Sequence, residues 1–260
     1  MGLSAKNRYQ AFGVHFLVSL CIIINFSYLI FAHWYPEPFF SADGGWSVFR
    51  MVIIVDLVLG PVLTFVIYKP GKKGLKFDLT AIATAQVVAL IYGGGILYQE
   101  RPAYLTFSVD RFVLISEGDI DTSKIKTPEL LVKDSKTPRP VFAQLPSDPI
   151  EQRKIMDEVL EGKPDLEFRA EYYETFSENL PKVLAKSKDI NEFKKLSPHY
   201  SAKIDLFLVN HCIEDCAFLP LVGKKRDILL AISKKDGHVV GGIDIDPWQK
   251  EHSAKTDINT

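Results

Sequence analysis

The chain has 260 residues, a formal net charge of −1 and a mean hydropathy of +0.06. This balanced charge argues against a nucleic-acid-binding protein, which would need a basic face or stripe. Nearly all the long apolar runs precede Tyr98, whereas the later residues mix charged and apolar types in globular proportions. The composition therefore predicts a membrane-embedded part followed by one folded domain.

Three segments are long and apolar enough to cross the bilayer as helices, at about residues 11–32, 46–68 and 79–98. The first contains no Asp, Glu, Lys or Arg. It is longer than the apolar region of a signal peptide and ends in aromatic residues, so we expect it to be a span rather than a cleaved leader. Trp46, Tyr68 and Tyr98 stand at span ends, where interfacial aromatic residues are typical.

The orientation of the spans follows from the charges of their short flanks. Lys6 and Arg8 precede the first span, and the link between the second and third contains four lysines: Lys69, Lys72, Lys73 and Lys76. The loop over residues 33–45 contains neither Lys nor Arg. Cytoplasmic flanks are rich in Lys and Arg, so the N-terminus is predicted in the cytoplasm and the C-terminal domain on the opposite side, which in a bacterium is the periplasm.

The C-terminal domain is predicted to be an α+β fold over residues 99–248, followed by a polar tail at 249–260. Predicted strands lie within residues 103–115, 141–145, 226–232 and 239–245. The last two flank Asp236 and Gly237, a pair typical of tight hairpin turns. One helix is predicted from Pro149 to just before Gly162, and a second within residues 171–184.

Asp56 is the first candidate functional residue, because an ionisable side chain about 15 Å below Trp46 lies near the bilayer midplane. Gly60 and Thr64 follow at four-residue spacing, so one face of the second span is small and polar. Gln86 in the third span is assigned to the same face. Such faces favour close helix contact, and this one is predicted to contact a membrane helix of a partner protein.

A second interpretation of Asp56 is internal packing, in which its side chain bonds within the helix bundle. Its candidate partners are polar side chains of the three spans: His15, Asn25, Gln86 and Tyr92. A proton or ion pathway is disfavoured, because one acidic residue in three spans makes a poor relay.

Cys212 and Cys216 lie on the oxidising side of the membrane under this topology, so a disulfide between them is predicted. Its small loop would give only a modest gain in chain entropy. A metal site would need more ligands than His211 and two thiols, and a redox pair usually has two intervening residues. Cys21 lies within the first span.

Two acidic pairs in the C-terminal domain have the spacing used by metal-dependent sugar transferases: Asp119 with Asp121, and Asp244 with Asp246. Such short pairs occur often on strand ends, so they are weak signals of catalysis. No catalytic residue, cofactor or metal site is predicted.

Three consecutive basic residues, Lys224, Lys225 and Arg226, form a candidate surface patch. The simplest interpretation is a solvated turn between strands. The alternative is a docking patch for lipid headgroups or a partner protein.

A series of short segments, spread over nearly the whole chain, is distinctive when taken together. In the membrane part they are Ala-Phe-Gly-Val-His at 11–15, Trp-Tyr-Pro at 34–36, Gly-Gly-Trp at 44–46, Val-Asp-Leu-Val-Leu-Gly-Pro at 55–61, Lys-Pro-Gly-Lys-Lys at 69–73 and Phe-Asp-Leu at 77–79. Later ones are Tyr-Gln-Glu-Arg-Pro at 98–102, Val-Asp-Arg-Phe at 109–112, Phe-Leu-Pro-Leu at 218–221, Arg-Asp at 226–227 and Asp-Pro-Trp at 246–248. In this order they resemble the type IV pilin accessory proteins of the TfpX/TfpZ group from Gram-negative inner membranes.

The resemblance implies a chaperone-like accessory protein that acts beside the major type IV pilin and affects its stability, assembly or dynamics. It implies no catalytic residue. A pilin subunit in the membrane has one apolar N-terminal helix, which a three-span bundle with a small polar face is suited to hold. The implied partners are the major pilin, other pilus assembly proteins and the lipid bilayer. The alternatives are an enzyme that modifies pilin or an envelope glycan, and a small transporter or sensor.

Overall fold

The structure, a computed structural model, describes residues 7–132, 138–212 and 215–249. It divides into two compact units. The first, here called the helical unit, comprises the residues up to Trp34 together with Gly45–Glu100. The second, here called the sheet unit, comprises Tyr35–Gly44 and the residues from Arg101 onward. The chain thus passes from one unit to the other three times.

The helical unit consists of three helices of membrane-spanning length and apolarity, Arg8–Trp34, Gly45–Ile67 and Leu75–Gln99, here called spans one, two and three. Span one ends in a π-helical turn, and span two contains a π-helical segment at Ile54–Leu59 that includes Asp56. π-helical segments widen the backbone and are frequent at functional sites. Pro61 follows this segment and cannot donate a backbone hydrogen bond, which is a local reason for the irregularity.

Aromatic rings cluster at both ends of the helical unit. Trp34 and Tyr98 make an edge contact with ring centres 5.3 Å apart. At the other end Tyr9 and Phe65 also meet at 5.3 Å, and the Arg8 guanidinium lies over the Phe65 ring. Aromatic residues at both ends of a helix bundle are typical of the two membrane interfaces.

The sheet unit is built on seven strands: β1 Pro102–Ser108, β2 Arg111–Ser116, β3 Arg139–Ala143, β4 Tyr173–Thr175, β5 Cys216–Val222, β6 Ile228–Ser233 and β7 Val239–Ile243. Their order in the sheet is β4-β3-β1-β2-β5-β6-β7. The β1–β3 and β2–β5 pairs are parallel, and the other four neighbouring pairs are antiparallel. β1 lies between β3 and β2, inside the sheet, and is buried along its whole length.

The helices of the sheet unit cover both faces of this sheet; the longer ones are Pro149–Leu160, Phe176–Leu184, Ile190–Leu196 and Pro198–His211. Successive residues of a strand point to opposite faces, and β1 follows this rule. Phe107 packs in one apolar cluster with Phe176, whereas Tyr104 packs in another with Ile155. A third cluster joins Phe207 to β5 and β6.

The segment Tyr35–Gly44, which links spans one and two, is an integral part of the sheet unit. Its short helix Phe39–Asp43 buries Phe39, Phe40 and Ala42 almost completely. The carbonyl oxygen of Ala42 accepts hydrogen bonds from the backbone N–H groups of Lys225 and Arg226, at 3.1 and 3.2 Å. This link is therefore held by both apolar burial and backbone hydrogen bonds.

Close packing of the Tyr35–Gly44 segment requires a glycine at position 223, which faces Ala42. A Cβ added at Gly223 would overlap the carbonyl of Ala42 and lie 2.6 Å from the carbonyl oxygen of Arg226. Both obstacles are backbone atoms, so they cannot move aside cheaply. Gly223 thus permits the approach of the inter-span segment to the β5–β6 turn.

The predicted fold class, a three-helix transmembrane bundle followed by an α+β domain, is confirmed. The first helix begins at Arg8 and the third at Leu75, before the apolar runs predicted from about 11 and 79, because helical hydrogen bonding continues through the flanking residues. The segment 103–115 forms two strands, and the predicted helix after Pro149 and the last hairpin are present. Strand β5 and the helix Pro198–His211 were not predicted. Residues 250–260 of the predicted tail lie outside the described residues.

Candidate functional site

The polar side chains of the three spans meet in one hydrogen-bonded network. The Nδ1 atom of His15 lies 2.6 Å from Thr64 Oγ1, and its Nε2 atom lies 2.8 Å from Gln86 Oε1. An amide oxygen only accepts, so Nε2 carries the ring proton and, in the neutral ring, Nδ1 accepts from the Thr64 hydroxyl. Gln86 Nε2 then donates to the backbone carbonyl oxygen of Asp56 at 3.0 Å. One histidine in span one thereby connects spans two and three.

Gly60 provides the space that the network needs. A Cβ added at Gly60 would overlap the terminal amide of Gln86. Gly93 plays a similar part nearby, since a Cβ there would lie 2.6 Å from Val52 Cγ2. Small residues of this kind let membrane helices approach closely enough for polar side chains to bond across them.

Asp56 is 4 % exposed, and its Oδ2 atom has no hydrogen-bond partner within the described part of the chain. It lines a cavity of about 110 Å³ between spans one and three. The other lining residues are His15, Val18, Ser19, Ile22, Ala83, Gln86, Val87 and Leu90. At a rise of 1.5 Å per residue, Asp56 lies about 16 Å from the end of span two at Ile67, which is near mid-membrane.

A second, larger hollow of about 460 Å³ continues from this cavity. Three residues line both spaces: His15, Val18 and Ala83. The second hollow extends past Thr64 towards Tyr68 and Lys76. Together the two spaces form a groove between spans one and three, with span two as its floor; we call it the interspan groove.

The interspan groove is open along its side. Along the walls, Val18 of span one and Val87 of span three are each 52 % exposed. The groove therefore offers apolar walls and a polar floor to the surrounding bilayer.

The four residues of the predicted partner face, Asp56, Gly60, Thr64 and Gln86, are all buried within the helical unit. Gly60 is covered by Gln86 of the same chain and lines neither part of the groove. Asp56, Thr64 and Gln86 do line it. Contact of this face with a partner stays a prediction.

Of the internal partners considered for Asp56, Gln86 bonds to its backbone carbonyl and also interacts with its carboxyl group, and His15 acts on that carboxyl electrostatically. Asn25 instead donates to the carbonyl oxygen of Cys21 in its own helix, and Tyr92 is 72 % exposed. His15 stands at four-residue spacing in line with Ala11, Ser19 and Ile23, which are the buried residues of the helix Arg8–Leu29.

In the sheet unit, Cys212 and Cys216 are joined by a disulfide with a Cα–Cα distance of 6.1 Å. The bond connects the end of the helix Pro198–His211 to the start of β5. Cys21 is an exposed free cysteine of span one.

Residues of the two acidic pairs in the sheet unit make hydrogen bonds and ion pairs with other residues of the chain. Asp121 accepts hydrogen bonds from the hydroxyl and backbone N–H of Ser123, which lower the pKa of its carboxyl below the usual value. Asp244 pairs with Lys203 and with Arg226. Among the described residues, no group of three potential metal ligands is present.

The residues of the candidate basic patch contact other residues of the same chain. Lys224 Nζ lies 3.0 Å from Ser116 Oγ and 3.3 Å from a carboxylate oxygen of Asp119. Arg226 lies 2.8 Å from Asp244, and the Lys225 side chain packs over Gly44. A docking role for Lys224, Lys225 and Arg226 stays a prediction.

Three of the distinctive short segments meet near this patch. The Arg111 guanidinium lies over the Trp248 ring, 4.6 Å from its centre. The Trp248 indole N–H donates to Asp227 Oδ2 at 2.7 Å, and Asp227 Oδ1 accepts from the backbone N–H of Gly223. The cluster holds the β5–β6 turn that contacts the Tyr35–Gly44 segment, so these segments have a structural role.

Comparison with known proteins gives several similarities. Residues 4–44 match the family described as Fimbrial assembly protein FimB. The chain is similar to two Dichelobacter nodosus proteins, "Fimbrial assembly protein, serogroup I" and "Fimbrial assembly protein, serogroup E1". Each is 27 % identical over 254 residues, which cover 91 % of this chain and 95 % of the relative.

A further relative from the same organism, "Fimbrial assembly protein, serogroups C1 and C2", is 36 % identical over 110 residues. This alignment covers 42 % of the present chain and 84 % of the relative. No solved structure matches the chain. The family match at residues 4–44 includes His15 and the whole Tyr35–Gly44 segment.

Proposed function

Because the chain belongs to the family of fimbrial assembly proteins, we propose that it is an inner-membrane accessory protein of type IV pilus biogenesis that binds and stabilises the major pilin. The proposal includes the finer assignment to the TfpX/TfpZ group and a resulting effect on pilus assembly or dynamics. It contains no catalytic step, since binding alone would account for such an effect.

The observation behind the proposal is the interspan groove. Its walls are apolar and exposed, its floor is polar, and its length follows the helix axes. The resemblance implies that a pilin subunit waits in the membrane with one apolar N-terminal helix, which is the kind of segment such a groove would accept. A helix lying in this groove would bury Val18 and Val87 and pack over span two. Helix-in-groove binding of this kind uses the same contacts as membrane helix packing.

The proposed topology places the N-terminus in the cytoplasm and the sheet unit in the periplasm. Tyr35–Gly44 and the residues from Arg101 onward fold together, so both must lie on one side of the membrane, as three crossings require. The lysines between spans two and three support a cytoplasmic position for that link. The disulfide Cys212–Cys216 supports an oxidising compartment for the sheet unit.

Site-specific photocrosslinking in living cells tests this proposal. A photoreactive residue placed at Val18 or Val87 would stand on the groove walls, and one at Val66 would stand on span two at an exposed position that lines neither part of the groove. We expect adducts with the major pilin from the two wall positions and none from Val66. Well-expressed protein that gives no pilin adduct at either wall position would contradict the proposal.

A further inference from the structure

We propose that the interspan groove selects its helix by a hydrogen-bond donor, which the bound helix presents to Asp56 Oδ2. This inference rests on the proposed function, because the occupant is taken to be the apolar helix of the pilin. It adds the chemistry of recognition: the bound helix bears a hydroxyl, amide or amine at the depth of Asp56.

The first argument is that Asp56 Oδ2 is buried near mid-membrane without a hydrogen-bond donor. Asp56 is 96 % buried, near the middle of a membrane-spanning helix, and Oδ2 has no partner among the described residues. A buried polar atom without a hydrogen bond is unfavourable in hydrocarbon, where water does not compensate. A donor delivered by another molecule would remove that cost.

The second argument is that the neighbouring polar groups are already engaged. His15 uses both ring nitrogens, one with Thr64 and one with Gln86. The Gln86 amide bonds to His15 through its oxygen, and its nitrogen side serves the Asp56 backbone carbonyl and the Asp56 carboxyl group, where Oδ2 is left without a partner. The network thus holds Asp56 in place while its Oδ2 atom keeps an open acceptor position.

The third argument is space and charge. The cavity beside Asp56 measures about 110 Å³, enough for one short polar side chain. Among the described residues, its lining includes neither Lys nor Arg to pair with the acid. A donor, neutral or positively charged, is the complement of this surface, and the exposed apolar walls indicate that a helix delivers it.

Binding of the pilin by full-length protein in nanodiscs tests the inference, with Asp56→Ala as the main variant. We expect binding about tenfold weaker than wild type, the size of one interhelical hydrogen bond in a membrane. Ser27→Ala is the matched control, because Ser27 is a hydroxyl residue of span one that bonds to the Ile23 carbonyl of its own helix and lines neither part of the groove. The Ser27 variant should bind like wild type.

The donor is identified by substitutions in the pilin helix, and their effect on binding to the wild-type protein does not depend on the folding of any variant of this chain. Each hydroxyl, amide or amine of the pilin helix is removed in turn, and a double-mutant cycle is measured against Asp56→Ala. One removal should weaken binding to the wild-type protein about tenfold, yet have no further effect on binding to the Asp56 variant.

The outcomes separate this inference from the proposed function. Pilin adducts at Val18 and Val87 with undiminished binding by Asp56→Ala would overturn the inference and leave the function intact. Weaker binding without any coupled donor on the pilin would also overturn it, because Asp56 would then act only on the shape of the bundle. Adducts with lipid alone would overturn both.

Discussion

The two units of this protein place their polar and apolar residues in opposite ways. In the sheet unit, aromatic and aliphatic side chains fill three buried clusters and the charged residues lie outside. In the helical unit, many large apolar residues such as Val66 and Ile91 are about 70 % exposed, whereas Asp56, Thr64 and Gln86 are buried.

This difference indicates which interactions stabilise each unit. Apolar burial away from water drives the packing of the sheet unit. Lipid is as apolar as a side chain, so the helical unit depends on close contact at small residues and on polar bonds between helices. Steric changes at backbone contacts should therefore be most costly in the sheet unit, while changes in the helical unit should act through the His15 network.

The largest effect is expected for Gly223→Ala. The new Cβ would meet the backbone of Ala42 and Arg226, so the Tyr35–Gly44 segment could not dock as it does. We expect a loss of about 3 kcal/mol in unfolding free energy, typical of severe overpacking. Limited proteolysis and thermal unfolding of the solubilised protein measure it. Gly118→Ala is the control, since nothing lies within 4 Å of its Cβ; equal stability of the two variants would contradict the docking described.

The next effect concerns the disulfide. Replacing both Cys212 and Cys216 by Ser removes a bond that closes a loop of sequence separation 4. The chain-entropy relation gives about 2 kcal/mol for so small a loop. Thermal unfolding of the double variant against wild type measures this loss. Cys21→Ser, at the exposed free cysteine, should change nothing, and a reductant should lower the Tm of the wild type but not that of the double variant.

A smaller effect is expected for Gly60→Ala in span two. The added methyl group would displace the Gln86 amide from its hydrogen bonds to His15 and to the Asp56 carbonyl. We expect a loss of about 1 kcal/mol, the scale of interhelical hydrogen bonds in membranes. SDS titration in mixed micelles measures it. Gly95→Ala on span three, where the Cβ would have nothing within 4 Å, should behave as wild type.

The smallest effect depends on pH and lies in the β6–β7 turn. The His238 ring, together with its backbone N–H, donates to Asp236 and lowers the pKa of that carboxyl to about 2. A lowered folded-state pKa stabilises the protein above the ordinary pKa of about 3.9 and loses that contribution as the pH falls through about 2. Asp236→Asn should therefore lower the Tm slightly at pH 6 and leave it unchanged at pH 2. A difference that persists at pH 2 would refute the assignment.

The positions of the three spans could be predicted from the sequence, but the contacts of Asp56 within the helical unit could not. Span positions follow from apolar length alone, and Asp56 stands out as an acid among apolar residues. Its true environment does not follow, because Gln86 reaches its carbonyl only when Gly60 leaves room. In the sheet unit, the hairpin around Asp236 was readable from local turn chemistry, but β5 was not, since its Pro220 argues against a strand.

By itself, the amino-acid sequence determined the number of spans, the sign of the charges on their flanks and the α+β character of the C-terminal domain. These properties depend on neighbours in the chain, so local length, periodicity and charge are enough. Only the tertiary structure decided that Tyr35–Gly44 belongs to the sheet unit and that His15 joins the three spans. Both depend on residues far apart in sequence, whose meeting is set by packing and hydrogen-bond geometry rather than by any local pattern.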